Sequence, residues 1–265
     1  MDAIKPSRHF SQNFLIDEKV QKKIASSLSP SLHDTLLEIG PGTGALTQHL
    51  VHQKVRRFVV AEFDKRCVDV ITEKFLHHAH MHLHHVDILK FNWLTLPDDP
   101  LYIIGSLPYH ITSDIILHVL RAPQLVEANF VVQKEVGERL TAKPGSKTYG
   151  RLSVLLQLLT NPSYLFDISP ESFFPKPKVT SALISMRKAV PHFVTKEGIR
   201  YMERLTNLCF QQRRKQLKNI LKGSFPHAQD SLNHLGITES ARPETLTPEL
   251  FYHLSVHIFE RHRQK

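Results

Sequence analysis

The feature that most constrains the fold is a glycine-rich segment that directly follows an apolar run. Residues 35–39 have the composition of a buried strand, and residues 38–44 read EIGPGTG. Glycines at such a turn allow positive φ and expose backbone amides to a ligand, because no Cβ shields them. The next residues, 45–52, have helical spacing. The segment therefore predicts a strand, a ligand-binding turn and a helix in succession.

A carboxylate ends the next strand-like run. Glu62 closes residues 57–62, about twenty residues beyond the glycines, where an acidic side chain can accept hydrogen bonds from both hydroxyls of a ribose. This layout fits S-adenosylmethionine, and it also fits NAD because Gly40, Gly42 and Ala45 satisfy the relaxed dinucleotide pattern. A tight turn without any ligand is the remaining alternative. The order Glu38-x-Gly40-x-Gly42-x-Gly44 favours a methyl donor.

Strand-like runs alternate with amphipathic stretches through the first two thirds of the chain. This order is typical of helices that cover a mostly parallel sheet, so we expect an α/β fold with a Rossmann-like sheet. The expected strands are 35–39, 57–62, 81–86, 101–105 and 130–132, with a late pair at 164–168 and 179–186. Expected helices include 45–52 and 113–120.

The chain changes character after Pro191. Residues 196–221 have continuous helical spacing, and shorter helical segments follow to the end. We therefore expect a domain boundary near residue 190. Residues 1–190 form the donor-binding catalytic domain in this interpretation, and residues 191–265 form a small all-helical domain.

The charge balance points to the kind of partner. Lys and Arg number 34 against 25 Asp and Glu, for a formal net charge of +9. Such an excess favours a polyanion, although a basic enzyme without one has the same composition. No apolar run reaches the roughly 18–20 residues that span a bilayer, and no secretory h-region is present. Cys67 and Cys209 are far apart in the sequence, so we expect both to be reduced thiols, as is usual in a cytoplasmic protein. From the lack of an apolar span we expect no membrane contact.

The segment after the fourth expected strand carries a second pattern. Residues 105–109 read GSLPY, and amino-methyltransferases have an Asn or Asp, a Pro and an aromatic residue at this turn. Adenine N6 is a weak nucleophile because its lone pair is delocalised into the ring. A Ser106 acceptor and the Leu107 carbonyl can bind the two amine protons and orient the lone pair. Pro108 stiffens the turn, and Tyr109 can stack on an extruded base. A Pro turn with a buried Tyr is the structural alternative.

Two further positions match a donor site. Asp87 follows the third expected strand, where its carboxylate can accept from an adenine amine while Ile88 packs on the ring. Asn13 and Leu15 belong to the segment 12–15, QNFL, whose Asn amide can cap the methionine end. Without a related family for comparison, a turn or capping role is favoured for these residues.

The chain resembles the KsgA-type ribosomal RNA adenine dimethyltransferases along nearly its whole length. The matching residues are SQNFL at 11–15, LEIGPGTG at 37–44, LPY at 107–109, QKEV at 133–136, YGRLSV at 149–154, FPKPKVTSA at 174–182, FQQRRK at 210–215 and RPETL at 242–246. Several of these are not general methyltransferase motifs. The match as a whole is therefore specific to this family.

The resemblance implies a catalytic domain that uses S-adenosylmethionine and a small helical domain that binds RNA and the ribosome. It implies dimethylation of N6 of two adjacent adenosines in a hairpin loop near the 3′ end of small-subunit (16S) rRNA, on a 30S precursor, by a monomer without a metal. Carried over to this chain, the family's donor contacts fall on Asn13, Leu15, Gly40, Glu62 and Asp87. We add Gly42, Ile88 and Ser106 to the predicted donor site. The target base falls to Ser106, Leu107, Pro108, Tyr109 and Phe174.

One position departs from the family, which has Asn where this chain has Ser106. Serine keeps an acceptor oxygen on a shorter arm, and its hydroxyl can also donate. Either the chemistry persists at a reduced rate, with or without a water in the gap, or the protein is a weak or inactive methyltransferase retained as an assembly factor.

Two clusters outside the core pattern have competing interpretations. One expected stretch of helix carries several cations, which either hold phosphates or form a solvated face: Arg213, Arg214, Lys215 and Lys218.

Histidines are frequent in residues 77–85, and His80, His82 and His84 would share one face of a strand. That geometry can trap zinc or nickel, but the family has no metal there, so we expect none.

Two alternatives come from other functions. A methyltransferase acting on a large-subunit (23S) rRNA adenine shares the donor domain, but residues 174–182 and the C-terminal match argue against it. An NAD-dependent oxidoreductase shares the glycine pattern, but the sequence has no candidate proton donor near the fourth expected strand.

Overall fold

The computed structural model describes residues 12–225 and 228–263, so Ser11 of the SQNFL motif lies outside the described residues. By its contacts the chain forms two units. The first comprises the described part of residues 1–137 together with 162–188. The second comprises 138–161 together with the described part of 189–265.

The first unit is built on a mostly parallel sheet, which confirms the expected fold class. Seven strands from the described residues form it in the order β4-β3-β2-β5-β6-β9-β7. Strand β9 runs antiparallel to β6, whereas β2 to β6 pair in parallel. The bounds are β2 Thr35–Ile39, β3 Arg57–Glu62, β4 Met81–His85, β5 Leu101–Ser106, β6 Leu125–Gln133, β7 Thr160–Ile168 and β9 Ser181–Lys188.

The strand order reverses between β2 and β5. The chain moves from β2 outward to β3 and β4, then returns to place β5 on the other side of β2. Ligands of open α/β sheets bind at such a switch point, outside the carboxyl ends of the strands. The glycine-rich turn follows β2. The SLPY loop, residues 106–109, begins at the last residue of β5. The topology therefore brings the two sequence patterns to one edge of the sheet.

Helices cover this sheet, and α1 and α3 among them start at side-chain caps. The Asp17 carboxylate accepts from the amides of Lys19 and Val20 at the start of α1, and Asp64 accepts from the Arg66 amide at the start of α3. The helices are α1 Glu18–Ala25, α2 Thr47–Leu50, α3 Lys65–Phe75, α4 Thr112–Val119 and α5 Lys134–Leu140. Helix α2 is shorter than the helix expected over 45–52, because the turn that follows β2 continues through residue 46.

A separate two-stranded ladder joins distant parts of the first unit. Strand β1, Phe14–Leu15, pairs antiparallel with β8, Phe173–Phe174. Leu15 and Phe173 face each other and are buried in the same core cluster as Leu36 and Phe58. These strands were not predicted, because a strand of two residues is too short to show an alternating pattern in the sequence.

The second unit is helical, and it contains residues that the sequence analysis assigned to the catalytic domain. Residues 138–161 group with the C-terminal part of the chain, unlike the expected division into 1–190 and 191–265. The reason is that helix α6, Arg151–Leu159, is buried on most of its surface. It packs against α7, Lys196–Gln211, and α10, Pro248–Arg263. The Tyr149 hydroxyl also donates to the Leu246 carbonyl at 3.0 Å. The helices are α6 Arg151–Leu159, α7 Lys196–Gln211, α8 Leu217–Leu221, α9 Ala228–His234 and α10 Pro248–Arg263.

The continuous helix expected over 196–221 is wrong, because residues 212–216 form a turn between α7 and α8. Tertiary hydrogen bonds replace the helical ones there. The Leu217 amide donates to the Ala241 carbonyl at 2.8 Å, and the Arg213 guanidinium donates to the Ser146 carbonyl at 2.9 Å. None of the described helices is long and apolar enough to cross a membrane.

Gly44 provides a test of the turn that precedes α2. Its φ is +96°, and a Cβ built on it would lie 2.5 Å from the Phe75 ring. We expect Gly44→Ala to lower the free energy of unfolding by about 2–4 kcal/mol, since it adds backbone strain and a steric clash. Urea unfolding followed by circular dichroism measures this loss.

Gly145→Ala is the matched control, because Gly145 has φ +86° but open space around its Cβ position. Backbone strain alone predicts a smaller loss of about 1–2 kcal/mol. Equal losses in the two variants would show that the contact with Phe75 contributes nothing.

Candidate active site

A cavity of about 600 Å³ opens at the carboxyl ends of β2, β3, β4 and β5, within the first unit. The glycine-rich turn, the end of β3, the residues after β4 and the SLPY loop all line it. Its lining includes Asn13, Leu15, Gly40, Gly42, Glu62, Asp87, Ile88, Ser106, Leu107, Pro108 and Tyr109. The cavity thus brings together every predicted donor residue and four of the five residues predicted to hold the target base.

The glycine-rich turn forms one wall of the cavity. The Gly40 amide donates to the Ala61 carbonyl at 3.0 Å, which ties the turn to β3. Gly40 has φ +66°, and a Cβ there would lie 3.7 Å from the Ser106 carbonyl oxygen, in the space between the turn and the SLPY loop. The ring of Phe14 lies against Gly42, 3.0 Å from the position that a Cβ would take. A ligand can therefore lie directly against the backbone of this turn.

Glu62 is held in place by three backbone amides. Its carboxylate accepts from Gly42 at 3.3 Å, from Phe63 at 2.6 Å and from Asp64 at 2.7 Å. Burial raises the pKa of Glu62 above its ordinary value, and the three amide hydrogen bonds oppose that rise. A carboxylate so fixed can accept from the vicinal hydroxyls of a ribose without reorganising.

The remaining predicted donor residues lie on either side of Glu62. Asp87 accepts from the Leu89 amide at 3.0 Å and starts a 3₁₀ turn that presents the largely buried Ile88 to the cavity. Leu15 reaches the cavity on β1 and Asn13 directly before that strand, and the Leu15 carbonyl accepts from the Gln21 side chain at 2.9 Å. Carboxyl side chains, an apolar side chain and a side-chain amide thus line one cavity.

The SLPY loop is anchored at several points. Ser106 ends β5 half-buried, and the amide of the buried Leu107 donates to the Val131 carbonyl at 3.1 Å. The Pro108 carbonyl accepts from the Thr112 hydroxyl at 2.9 Å. The Tyr109 hydroxyl shares a hydrogen bond of 2.7 Å with Ser181. These contacts preorganise the loop before any substrate is bound.

Phe174 differs from the other predicted site residues in its position. Its side chain is 59% exposed and is not among the residues that line the cavity, whereas its buried neighbour Phe173 is. Phe174 pairs with Phe14, whose ring lies against the glycine-rich turn. Its assignment to the target base stays a prediction.

The predicted phosphate-binding residues are not on one helix, because Arg213, Arg214 and Lys215 lie in the turn between α7 and α8. Arg213 is bonded to the Ser146 carbonyl and lies 3.9 Å from the Glu244 carboxylate, so it serves packing within the second unit. Lys218 pairs with Glu239 at 2.8 Å. Arg214 and Lys215 are exposed to solvent.

The histidines at 77–85 lie on and before the edge strand β4. The rings of His77 and His78 contact each other with centroids 4.2 Å apart, and His82 and His84 are exposed on the strand. Across the described ranges 12–225 and 228–263, no group of three or more His, Cys, Asp or Glu residues has the geometry to hold a metal ion.

Several residues of the site were missed by the sequence analysis. Glu38 is completely buried beside the cavity, and its carboxyl accepts from the Thr47 hydroxyl at 2.7 Å. Burial raises the pKa of Glu38 to about 8. The first position of EIGPGTG was a signal for Glu38, whereas the lining residues Phe63 and Phe173 carry no sequence signal of a ligand.

Glu38 makes stability depend on pH. Its pKa in the folded protein is raised to about 8 from about 4.5 in the unfolded chain, so its contribution to stability is complete below about pH 4.5. That contribution is lost as the pH rises through 8, because the unfolded chain releases the proton first. We expect Glu38→Gln to gain stability relative to the wild type between pH 5 and 8, by up to about 1.4 kcal/mol per pH unit. Urea unfolding at several pH values measures it.

Glu18→Gln is the control for this titration. Glu18 is exposed, and its hydrogen bond with Lys22 lowers its pKa. Its stability difference from the wild type should therefore be constant between pH 5 and 8. A constant difference for Glu38→Gln as well would contradict a buried neutral carboxyl.

Proteins of similar sequence indicate the family to which this chain belongs. Residues 4–259 match the family model described as ribosomal RNA adenine dimethylase. A protein of Marinomonas sp. named ribosomal RNA small subunit methyltransferase A is 36% identical, with 97% of each chain covered. The protein of the same name from Nitratidesulfovibrio vulgaris is 42% identical, with 91% of each chain covered.

Solved structures agree in fold. A dimethyladenosine transferase from Plasmodium falciparum superposes with a TM-score of 0.82 at 23% identity, covering 94% of this chain and 98% of that one. The 23S rRNA methyltransferase ErmE superposes with a TM-score of 0.72 at 27% identity, covering 93% of this chain and 100% of that one. The chain therefore belongs to the ribosomal RNA adenine dimethylase family and is an S-adenosylmethionine-dependent methyltransferase.

Proposed function

We propose that the protein dimethylates N6 of two adjacent adenosines in a hairpin loop near the 3′ end of small-subunit rRNA, as a cytoplasmic monomer acting on a late 30S precursor. The observation that carries this proposal is the meeting of Glu62, Asp87 and the SLPY loop in one cavity. The relatives named small subunit methyltransferase A support the choice of subunit. Family membership removes the oxidoreductase alternative.

The residues present fit S-adenosylmethionine. We assign the ribose hydroxyls to Glu62, the adenine amine to Asp87 and the adenine ring to Ile88, all three of which line the cavity. Gly40, Gly42 and Asn13 are left for the methionine end, where backbone and side-chain amides suit a carboxylate. When bound, the donor supplies an electrophilic methyl group on its sulfonium.

The SLPY loop is the candidate site for the acceptor amine. Ser106 Oγ and the Leu107 carbonyl are proposed to accept hydrogen bonds from the N6–H groups, two in the first methylation and one in the second, which orients the nitrogen lone pair. No strong base is required, because the proton is lost from a cationic amine after transfer. Tyr109 offers a ring for stacking, and the exposed Phe174 is the proposed second aromatic contact.

Ser106 provides the test of this assignment. We expect the wild type to methylate under-methylated 30S subunits, and Ser106→Asn to do so at an equal or higher rate, because the longer amide reaches the amine more directly. Incorporation of labelled methyl groups and mass spectrometry of the rRNA measure both. Ser106→Ala is the control that removes the acceptor and should lower kcat.

Two outcomes would redirect the proposal. If neither the wild type nor Ser106→Asn incorporates methyl groups, the protein is an RNA-binding assembly factor without this activity. The similarity to ErmE makes 50S precursors the second substrate to test. Methylation of 50S precursors alone would move the target to large-subunit rRNA.

RNA binding by the second unit has a separate test. Arg214 and Lys215 are exposed in the turn after α7, where they can hold phosphates without reading sequence. We expect Arg214→Ala with Lys215→Ala to weaken 30S binding and to reduce the slope of log K against log salt by about 2, one for each cation. Filter binding at several salt concentrations measures the slope.

Arg213→Ala is the comparison variant for that test. It removes the cation that contacts the Ser146 carbonyl and the Glu244 carboxylate. We therefore expect Arg213→Ala to lower the free energy of unfolding, whereas the double variant changes the salt slope. An unchanged slope in the double variant would make Arg214 and Lys215 only a solvated surface.

A further inference from the structure

The ring of Tyr109 is held at its hydroxyl by a residue outside the SLPY loop. The phenol oxygen lies 2.7 Å from Oγ of Ser181, the first residue of β9. Ser181 has no exposed surface, whereas Tyr109 is half-buried and lines the cavity. Burial raises the pKa of Tyr109 above its ordinary value, so the phenol stays protonated near neutral pH. The contact is therefore a hydrogen bond between two neutral hydroxyls.

Ser181 is itself fixed by the sheet. It pairs with Gln133 of β6, and two residues further along β9 Leu183 pairs with Val131. The carbonyl of Val131 accepts from the Leu107 amide at 3.1 Å. The loop is thus fastened to the same strand pair at its backbone and at the far end of the Tyr109 ring.

The position of Ser181 along the chain adds a second link. Residues 175–180 form the proline-rich segment between β8 and β9, with Phe174 directly before it and Ser181 directly after it. The Tyr109 contact therefore joins the SLPY loop to the end of the segment that carries the other predicted aromatic residue.

We propose, on the basis of the function proposed above, that Ser181 is a positioning residue for methyl transfer whose hydroxyl fixes the Tyr109 ring as one wall of the target-base site. A tyrosine ring turns about two side-chain torsions, and stacking on a base needs one ring orientation. Without the Ser181 hydroxyl the ring populates other orientations. The fraction of bound substrate in a reactive geometry then falls.

A purely structural role for Ser181 is the competing explanation, and β9 supplies a matched control. Ser185 lies on the same strand, is buried, and donates to the Glu127 carboxylate at 2.8 Å, outside the cavity lining. Ser185→Ala also deletes one buried hydroxyl and one hydrogen bond. It should lower the free energy of unfolding without changing kcat.

The experiment compares Ser181→Ala, Tyr109→Phe, the double variant and Ser185→Ala in the full-length protein. The rate of methyl transfer to under-methylated 30S subunits gives kcat and KM, and calorimetry with S-adenosylhomocysteine gives donor affinity. We expect each single variant to lower kcat by about three- to tenfold, the effect of one neutral hydrogen bond, with donor affinity unchanged. The double variant should be no slower than the slower single one, because both substitutions remove the same bond.

Three results separate the possibilities. Wild-type kcat in Ser181→Ala, or effects that multiply in the double variant, would overturn the positioning role. If Ser181→Ala unfolds, Tyr109→Phe still removes the bond from the cavity side, and its wild-type kcat would overturn the role equally. Absence of methyl transfer to 30S subunits by the wild type would overturn the proposed function, and the positioning role with it.

Discussion

The carboxylate of Glu62 is the contact on which the rest of the site depends. It accepts from the amide of Gly42 in the glycine-rich turn and from the amides of Phe63 and Asp64 just beyond β3. One side chain therefore joins the turn after β2 to the end of the neighbouring strand. The switch in strand order between β2 and β5 then places the SLPY loop on the opposite side of the same turn. The proposed donor and acceptor sites therefore share one edge of the sheet and one cavity.

The parts of this arrangement that could be predicted are local in sequence. The turn at 38–44 and the carboxylate of Glu62 each follow a strand with a clear apolar pattern, and parallel strands end at a common edge. The SLPY loop follows a third such strand. A periodic strand and the residue after it were enough to place these groups near one another.

The parts that could not be predicted depend on contacts between distant residues. Tyr109 and Ser181 are separated by 72 positions, and Arg213 and Ser146 by 67. Helical spacing continues across 212–216 in the sequence, whereas the tertiary bonds of Arg213 and Leu217 accompany a turn there. Residues 138–161 likewise have an ordinary apolar pattern, which does not indicate which of the two units they join.

The ladder of β1 and β8 has a consequence for how this protein can change over evolution. Leu15 and Phe173 line the cavity and also belong to the buried cluster beneath the sheet. Two-residue strands have little stability of their own, so their position is set by the burial of these two side chains. A substitution that reshapes the donor site at either position is also a core substitution. Ligand preference and fold stability are therefore selected together at these positions, and new specificity is more accessible at Phe63, which also lines the cavity and whose exposed ring can change at a smaller cost in stability.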